Sequence, residues 1–158
     1  MESLQLDIFR AFAKDWALLT AGTPEDFNTM TISWGGMGTL WGKSVVTVYV
    51  KPIRYTHDYL EAGDTFTVSF FPEKYRQELS LLGTKSGRDG DKVAGTGLTP
   101  VPVEGTVGFA EASVTLLCKK IYRQELDLDA MPPEAIQMAY TEEAPHTMYI
   151  GEVLRILR

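Results

Sequence analysis

Apolar and polar positions along the chain predict one opening helix followed by a succession of short strands. Leu4, Ile8, Ala11 and Phe12 recur at helical spacing, which predicts an amphipathic helix over residues 3–14. β-branched and aromatic residues then form runs bounded by Gly, Pro and Asp, which is typical of strands. The predicted strands cover residues 16–22, 28–34, 45–50, 64–71, 106–126 and 146–157.

Three shorter helices are predicted between these strands. Thr56 is placed to cap a helix that runs over residues 57–60 and stops at Gly63. Residues 73–83 form the next helix, with Gly83 at its C′ position, and Pro132-Pro133 lead the helix within residues 131–140. Residues 83–97 contain five glycines, which predicts a long exposed loop.

The order of these elements predicts the fold class. The chain has six or more short strands and no regular alternation of strand and helix, which argues against a doubly wound sheet. No GxGxxG motif opens a helix after a strand. We therefore predict a mainly β protein, a closed or nearly closed antiparallel barrel with helices outside it, and a single domain over residues 1–158.

Composition and charge narrow the possible partners. The net charge is −6, with 21 acidic and 15 basic side chains and no basic cluster, so nucleic acid is not an expected partner. No run of eighteen apolar residues predicts a membrane span, and the first residues lack a signal-peptide pattern. Cys118 is the only cysteine and is expected to be a buried thiol in a cytoplasmic protein. With two histidines far apart, we expect no metal site.

The segment GGMGTLWGKS, residues 35–44, superficially resembles a triphosphate-binding loop. That motif requires glycine five positions before Gly42, where this chain has Met37, and it requires a helix to follow. The next residues, VVTVYV, predict a strand instead. We therefore expect these glycines to form a turn or bulge between two strands, or to let a flat ligand approach the backbone.

Three other segments combine the groups that a mononucleotide with a flat ring requires. Residues 28–34 offer an amide, hydroxyls and an indole, and residues 54–56 place an arginine at a predicted helix N-terminus. Residues 86–92 add two cations on glycine-rich backbone. Solvated surface charge is the alternative for these loops. Trp34 could equally belong to the core, Arg88 could pair with Asp89, and His146 is favoured as structural.

These segments carry a resemblance to a known family. The run FNTMTISWGGMGTLWGKSVVTVYVKPIRYTHDYLEAGDTFTVSFF, then SGRDGDKVAGTGLTPV and HTMYIGEV, resembles the flavin reductase-like family of FMN-binding split-barrel proteins, and most closely its flavoredoxin-type branch. The resemblance implies a six-stranded antiparallel split β-barrel with flanking helices. It also implies a homodimer with FMN at the subunit interface.

The resemblance further implies a set of cofactor-binding residues. Residues 28–34 would line the isoalloxazine and ribityl chain, and the other two segments would hold the phosphate. The positions carried over are Asn28, Thr29, Met30, Thr31, Ser33, Trp34, Arg54, Tyr55, Thr56, Ser86, Arg88 and Lys92. No catalytic side chain and no metal ligand are implied, because the cofactor itself carries the chemistry.

The function implied is that of an FMN-dependent oxidoreductase. It would accept hydride from NADH or NADPH and pass electrons to free flavin, a metal complex or a protein. One alternative is an FMN electron-transfer protein without nicotinamide turnover, and another is a scaffold protein that has lost flavin. The sequence leaves open the choice between NADH and NADPH and the nature of the acceptor.

Overall fold

The computed structural model describes residues 3–158 and contains four α-helices and nine strands in that range. The helices are α1 (Ile8–Arg10), which continues as a π-helical turn (Ala11–Asp15), α2 (Tyr55–Ala62), α3 (Arg76–Thr84) and α4 (Pro133–Ala139). The strands are β1 (Ala17–Thr23), β2 (Asp26–Ile32), β3 (Gly35–Leu40), β4 (Lys43–Val50), β5 (Thr65–Phe70), β6 (Pro100–Val103), β7 (Thr106–Phe109), β8 (Val114–Glu125) and β9 (Thr147–Leu157).

Seven of the strands form one antiparallel sheet in the order β2-β1-β5-β8-β9-β4-β3, and β6 and β7 form a separate hairpin. The two edge strands, β2 and β3, are consecutive in sequence and are joined only by Ser33 and Trp34. Three peptide units span at most about 11 Å, so the sheet must curl until its edges approach each other. The edges are not paired, and the result is an open, or split, barrel. The predicted fold class is confirmed, with seven strands in the main sheet instead of six.

Alternating side chains of the barrel strands enter two apolar clusters. Leu19, Phe66 and Val68 face the barrel interior and are fully buried. Their neighbour Leu18 points to the opposite face of β1, where it packs with Leu79 of α3 and with other apolar residues. Strand β1 is therefore buried on both faces, which explains its continuous apolar run.

The glycine segment at residues 35–40 is a strand, so the prediction of a turn or bulge there was wrong. Residues 35–40 pair with the valine-rich β4, and this pairing outweighs the low strand propensity of glycine. The turn lies one step later, at Trp41 and Gly42, which have φ values of 52° and 72°. Two positive φ angles in a two-residue loop are the geometry that matches the twist of a hairpin.

The ends of several other elements also differ from the prediction. Residues 3–7 are not helical, and α1 begins at Ile8. Gly83 lies inside α3, which ends at Thr84, and not at its C′ position. The long strand predicted over residues 106–126 is two strands, because the chain turns away at residues 110–113. The hairpin partner β6, which contains two prolines, was not predicted.

Two further observations concern the burial of the cysteine and the lengths of the helices. The Cys118 side chain is fully buried in the barrel core, as predicted, and burial raises the pKa of its thiol. Within residues 3–158, no helix has the length and apolar character needed to span a membrane.

Candidate functional site

Asn28, at the rim of the barrel, joins two of the three segments highlighted by the sequence. Its Nδ2 donates to Thr56 Oγ1 at 2.8 Å, and both residues are buried. Thr56 therefore does not cap α2 as predicted. Arg54 is the N-cap residue, and Thr56 sits in the first turn, where its hydroxyl accepts from Asn28. This hydrogen bond fixes the start of α2 against β2.

Gly87 brings the third segment to the same place. A Cβ on Gly87 would lie 2.0 Å from Asn28 Oδ1 and 3.0 Å from the ring of Tyr55. Only glycine allows so close an approach without movement of its neighbours. Gly87 was not among the predicted site residues, although its position in a glycine-rich run was a usable signal.

Lys92 is a buried cation with one donor to spare. It is 8% exposed, and its Nζ donates to the carbonyls of Leu82 at 3.0 Å and Lys85 at 2.9 Å. An ammonium has three donors, so one hydrogen remains for another acceptor. Burial, together with the charge of Arg54, lowers the pKa of Lys92 to about 8.

Arg54 is the second cation of this cluster. Within residues 3–158 its guanidinium makes no hydrogen bond and no ion pair. Its pKa is lowered by burial, an effect that the carboxylate of Glu143 opposes. Arg54 also immediately precedes the first turn of α2, where unpaired backbone N–H groups favour an anion. Lys92, Arg54 and this helix end together form an anion-binding arrangement.

A cleft of about 310 Å³ lies beside Asn28, Tyr55 and Lys92. Acidic side chains also line it, but donors within the protein already occupy two of them. Asp91 accepts hydrogen bonds from two backbone N–H groups, and Asp26 accepts from the Tyr59 hydroxyl at 2.6 Å. Lys92 is the cation of this cleft, and it retains one unused donor.

Ser86 and Arg88 already have partners. The Ser86 hydroxyl accepts from Arg88 N at 3.1 Å. The Arg88 guanidinium pairs with Asp58 at 2.9 Å and lies 4.6 Å from the centre of the Tyr55 ring. Arg88 pairs with Asp58, and not with Asp89, the alternative considered from sequence. A ligand that uses Arg88 must compete with an exposed ion pair, which contributes little.

The alternation of β2 separates the side chains of residues 28–32. Thr29 Oγ1 lies 2.8 Å from Thr20 Oγ1 and donates to a backbone carbonyl, and Thr31 Oγ1 donates to Leu79 O of α3. Both hydroxyls thus face α3, away from Asn28. Met30 is buried in the barrel interior. At these three positions a ligand could use the free edge of β2, where alternate residues direct their backbone N–H and C=O groups away from β1.

Ser33 and Trp34 lie beyond the end of β2, up to about 20 Å along the strand from Asn28. Trp34 is 44% exposed, so it is not an ordinary core residue, and its ring lies 5.3 Å from that of His146. His146 is buried, and its Nδ1 lies 2.5 Å from the Tyr140 hydroxyl. Burial and the nearby charge of Lys51 lower the pKa of His146 to about 4, so the imidazole is neutral at pH 7.

An open antiparallel barrel, with a cleft beside buried Lys92 at one end of β2 and an exposed indole at the other, defines a split-barrel class of protein. The family model described as "Flavin reductase like domain" matches residues 9–157. The chain belongs to the flavin reductase-like family, as its resemblance predicted.

Solved structures agree with this assignment. An FMN-binding protein from Thermus thermophilus, solved with bound 1-cyclohex-2-enone, has a TM-score of 0.74 and 18% identity, over 100% of this chain and 80% of that one. The flavoredoxins of Desulfovibrio vulgaris (TM-score 0.71, 22% identity, 99% and 75% coverage) and Methanosarcina acetivorans (0.72, 17%, 99% and 75%) are also similar. These similarities establish the shared fold. A search of curated proteins gave no significant match.

Proposed function

We propose that this chain is an FMN-binding flavoprotein oxidoreductase, an NAD(P)H-dependent flavin reductase that passes electrons through FMN to a small-molecule or protein acceptor. The observation that carries the proposal is the spare donor of buried Lys92, next to the unpaired guanidinium of Arg54 and the N-terminus of α2. A phosphate monoester carries nearly two negative charges and requires such donors.

The phosphate end of FMN would be held where β2, α2 and the loop at residues 86–92 meet. Lys92 and Arg54 would neutralise its charge, and the first N–H groups of α2 would donate to its oxygens. Asn28 and Thr56 would hold these segments together through their side-chain hydrogen bond. Tyr55, Ser86 and Arg88 complete this part of the site.

The ring end would lie towards Ser33 and Trp34, at the other end of β2. The free edge of β2 would offer the outward-pointing backbone groups of alternate residues among Thr29, Met30 and Thr31 to the polar rim of the ring system. The exposed Trp34 indole would provide an aromatic contact. Bound FMN would supply the hydride and electron transfer, which explains why no catalytic acid–base pair is required.

Three features of the assembly belong to the same proposal. Residues 1–158 would form one domain, two chains would form a homodimer with flavin at their interface, and the protein would be cytoplasmic. The dimer is testable by sedimentation with and without FMN.

The deciding experiment is the visible spectrum of the purified protein, followed by anaerobic addition of NADH and then NADPH. Flavin bands that bleach with either nucleotide support the reductase and identify its donor. Bands that bleach only with dithionite would instead favour an FMN electron carrier. Protein that is colourless and takes up no FMN would refute flavin binding.

A further inference from the structure

A second cleft, of about 770 Å³, lies at the Trp34 end of the site, between the opening helix and β3. Its volume is within the range of small-molecule sites. Phe9, Phe12, Trp34 and Met37 give it largely apolar walls. Its one charged lining residue is Asp7, whose carboxylate accepts from Arg10 N as the cap of α1. Although the chain has a net charge of −6, this cleft is lined, among residues 3–158, by no carboxylate other than that of Asp7 and by no cation.

Two adjacent glycines border this cleft, and the protein's own packing explains only one of them. A Cβ on Gly35 would lie 2.6 Å from the Phe12 ring, so the fold requires glycine there. A Cβ on Gly36 would have no atom within 4 Å, and Gly36 does not have a positive φ. Neither packing nor backbone conformation among residues 3–158 requires glycine at position 36. Glycine in a strand is unfavourable without such a reason, and one reason is the close approach of a ligand.

Phe9 gives a second sign that the cleft is built for contact. Its side chain lines the cleft together with that of Trp34 and is 88% exposed. Two exposed aromatic side chains and an unobstructed stretch of backbone in one cleft leave room for a flat molecule. The absence of a cation in the lining disfavours phosphate, sulfate or carboxylate groups, since nothing there would compensate for their desolvation.

We propose that this cleft binds an uncharged, planar ring compound, which lies on the Gly36 backbone between Phe9 and Trp34. The inference rests on the proposed function in one respect: the compound would be the electron acceptor, because the cleft adjoins the ring end of the flavin site through Ser33 and Trp34. A conjugated ring carbonyl or quinone would take a hydride, two electrons and one proton, from reduced flavin. It would take a second proton from water, and the flavin would return to its oxidised form.

The test uses two probes with the same ring system and different charge. Binding of 2-naphthol, which is neutral at pH 7, and of naphthalene-2-sulfonate is measured by titration calorimetry on the full chain. The variants are Gly36→Val and, as a matched control, Gly38→Val. Gly38 is on the same strand and likewise has no atom within 4 Å of an added Cβ, but it borders a different cleft of about 270 Å³.

We expect wild type to bind 2-naphthol at least about tenfold more tightly than the sulfonate, and Gly36→Val to weaken 2-naphthol binding by about tenfold or more. Gly38→Val should leave it unchanged. Both variants should keep or raise the melting temperature, because valine favours strands. This outcome separates a lost ligand contact from a damaged fold.

Several results would overturn the proposal. One is a wild type that binds the two probes equally or not at all. Another is a Gly36→Val variant that loses FMN affinity, which would make the cleft part of the flavin's own ring site. A third is a Gly36→Val variant that changes the sedimentation of the protein but not 2-naphthol binding, which would make the face an interface between copies. If 2-naphthol binds as expected but the protein takes up no FMN, the binding site stands and its role as acceptor site is refuted.

Discussion

Replacing Lys92 with methionine should weaken FMN binding and remove its dependence on pH above 8. Methionine keeps an unbranched apolar stem of similar length but removes the ammonium. The Lys92 Nζ uses two of its three hydrogens on the carbonyls of Leu82 and Lys85, so the third is the one proposed for phosphate.

Two magnitudes follow for the Lys92→Met variant. Loss of one hydrogen bond to a charged group costs about 1.5–3 kcal/mol, which is roughly a 10- to 150-fold loss of FMN affinity. The carbonyls of Leu82 and Lys85 would lose their hydrogen-bond donor, which should also lower the free energy of unfolding by about 1–3 kcal/mol. Affinity must therefore be measured well below the melting temperature of the variant.

The pH dependence has a definite sign. Lys92 has a pKa of about 8 in the free protein, so it is protonated at pH 7 and progressively neutral above pH 8. The phosphate is already a dianion over this range. If binding requires the ammonium, about one molecule in eleven is competent at pH 9, and affinity should be about tenfold lower than at pH 7.

The assay is FMN titration by flavin fluorescence from pH 7 to pH 9.5, for wild type, Lys92→Met and Lys119→Met. Lys119 is an exposed lysine on β8, so its variant loses the same charge at a distance from the site. Only Lys92→Met should show a flat profile. The reasoning is refuted if Lys92→Met retains the wild-type slope, or if Lys119→Met loses as much affinity.

Three further predictions concern single positions. Gly87→Ala should lower the free energy of unfolding by about 1–3 kcal/mol and weaken FMN binding, because the added Cβ would clash with Asn28. A Cβ on Gly97 would have no atom within 4 Å, so Gly97→Ala should leave the free energy of unfolding, measured by denaturant titration, unchanged. Gly42→Ala should cost about 1 kcal/mol because φ is +72°, and Gly42→Asn should cost less; equal melting temperatures would contradict this. His146 has its pKa lowered from 6.5 to about 4, so the unfolded chain binds the extra proton and stability should fall as pH drops from 6.5 to 4. The His146→Gln variant should lack that component in melting curves.

The barrel was predictable because strands that are buried on both faces, such as β1 and β5, form continuous runs of apolar and β-branched residues. The glycine strand β3 was not predictable, because its stability comes from pairing with β4. The two strands are joined by a turn at Trp41 and Gly42, and the sequence has no Asn or Asp at position 41 to indicate that turn. Tertiary pairing outweighed local propensity.

The candidate site divides in the same way. The sequence brought Asn28, Arg54 and Lys92 into one prediction, and the structure places all three around the start of α2. The separation of Thr29 and Thr31 from Asn28 was available in advance, since neighbours on a strand point to opposite faces. The contact of Gly87 with Asn28 could not be predicted from the sequence, because it depends on how a loop folds back across the barrel rim.

The split barrel itself accounts for the exposure of Trp34. The two edge strands of a curled sheet must be joined, and here Ser33 and Trp34 make that connection across the opening of the barrel. A connection across an opening has no strand on its outer side to cover it, so a large side chain there stays partly in solvent. The same geometry leaves the backbone edges of β2 and β3 unpaired on either side of the indole. The fold thus places an aromatic surface and free backbone groups together, which are the two things that a flat heterocycle with a polar rim requires.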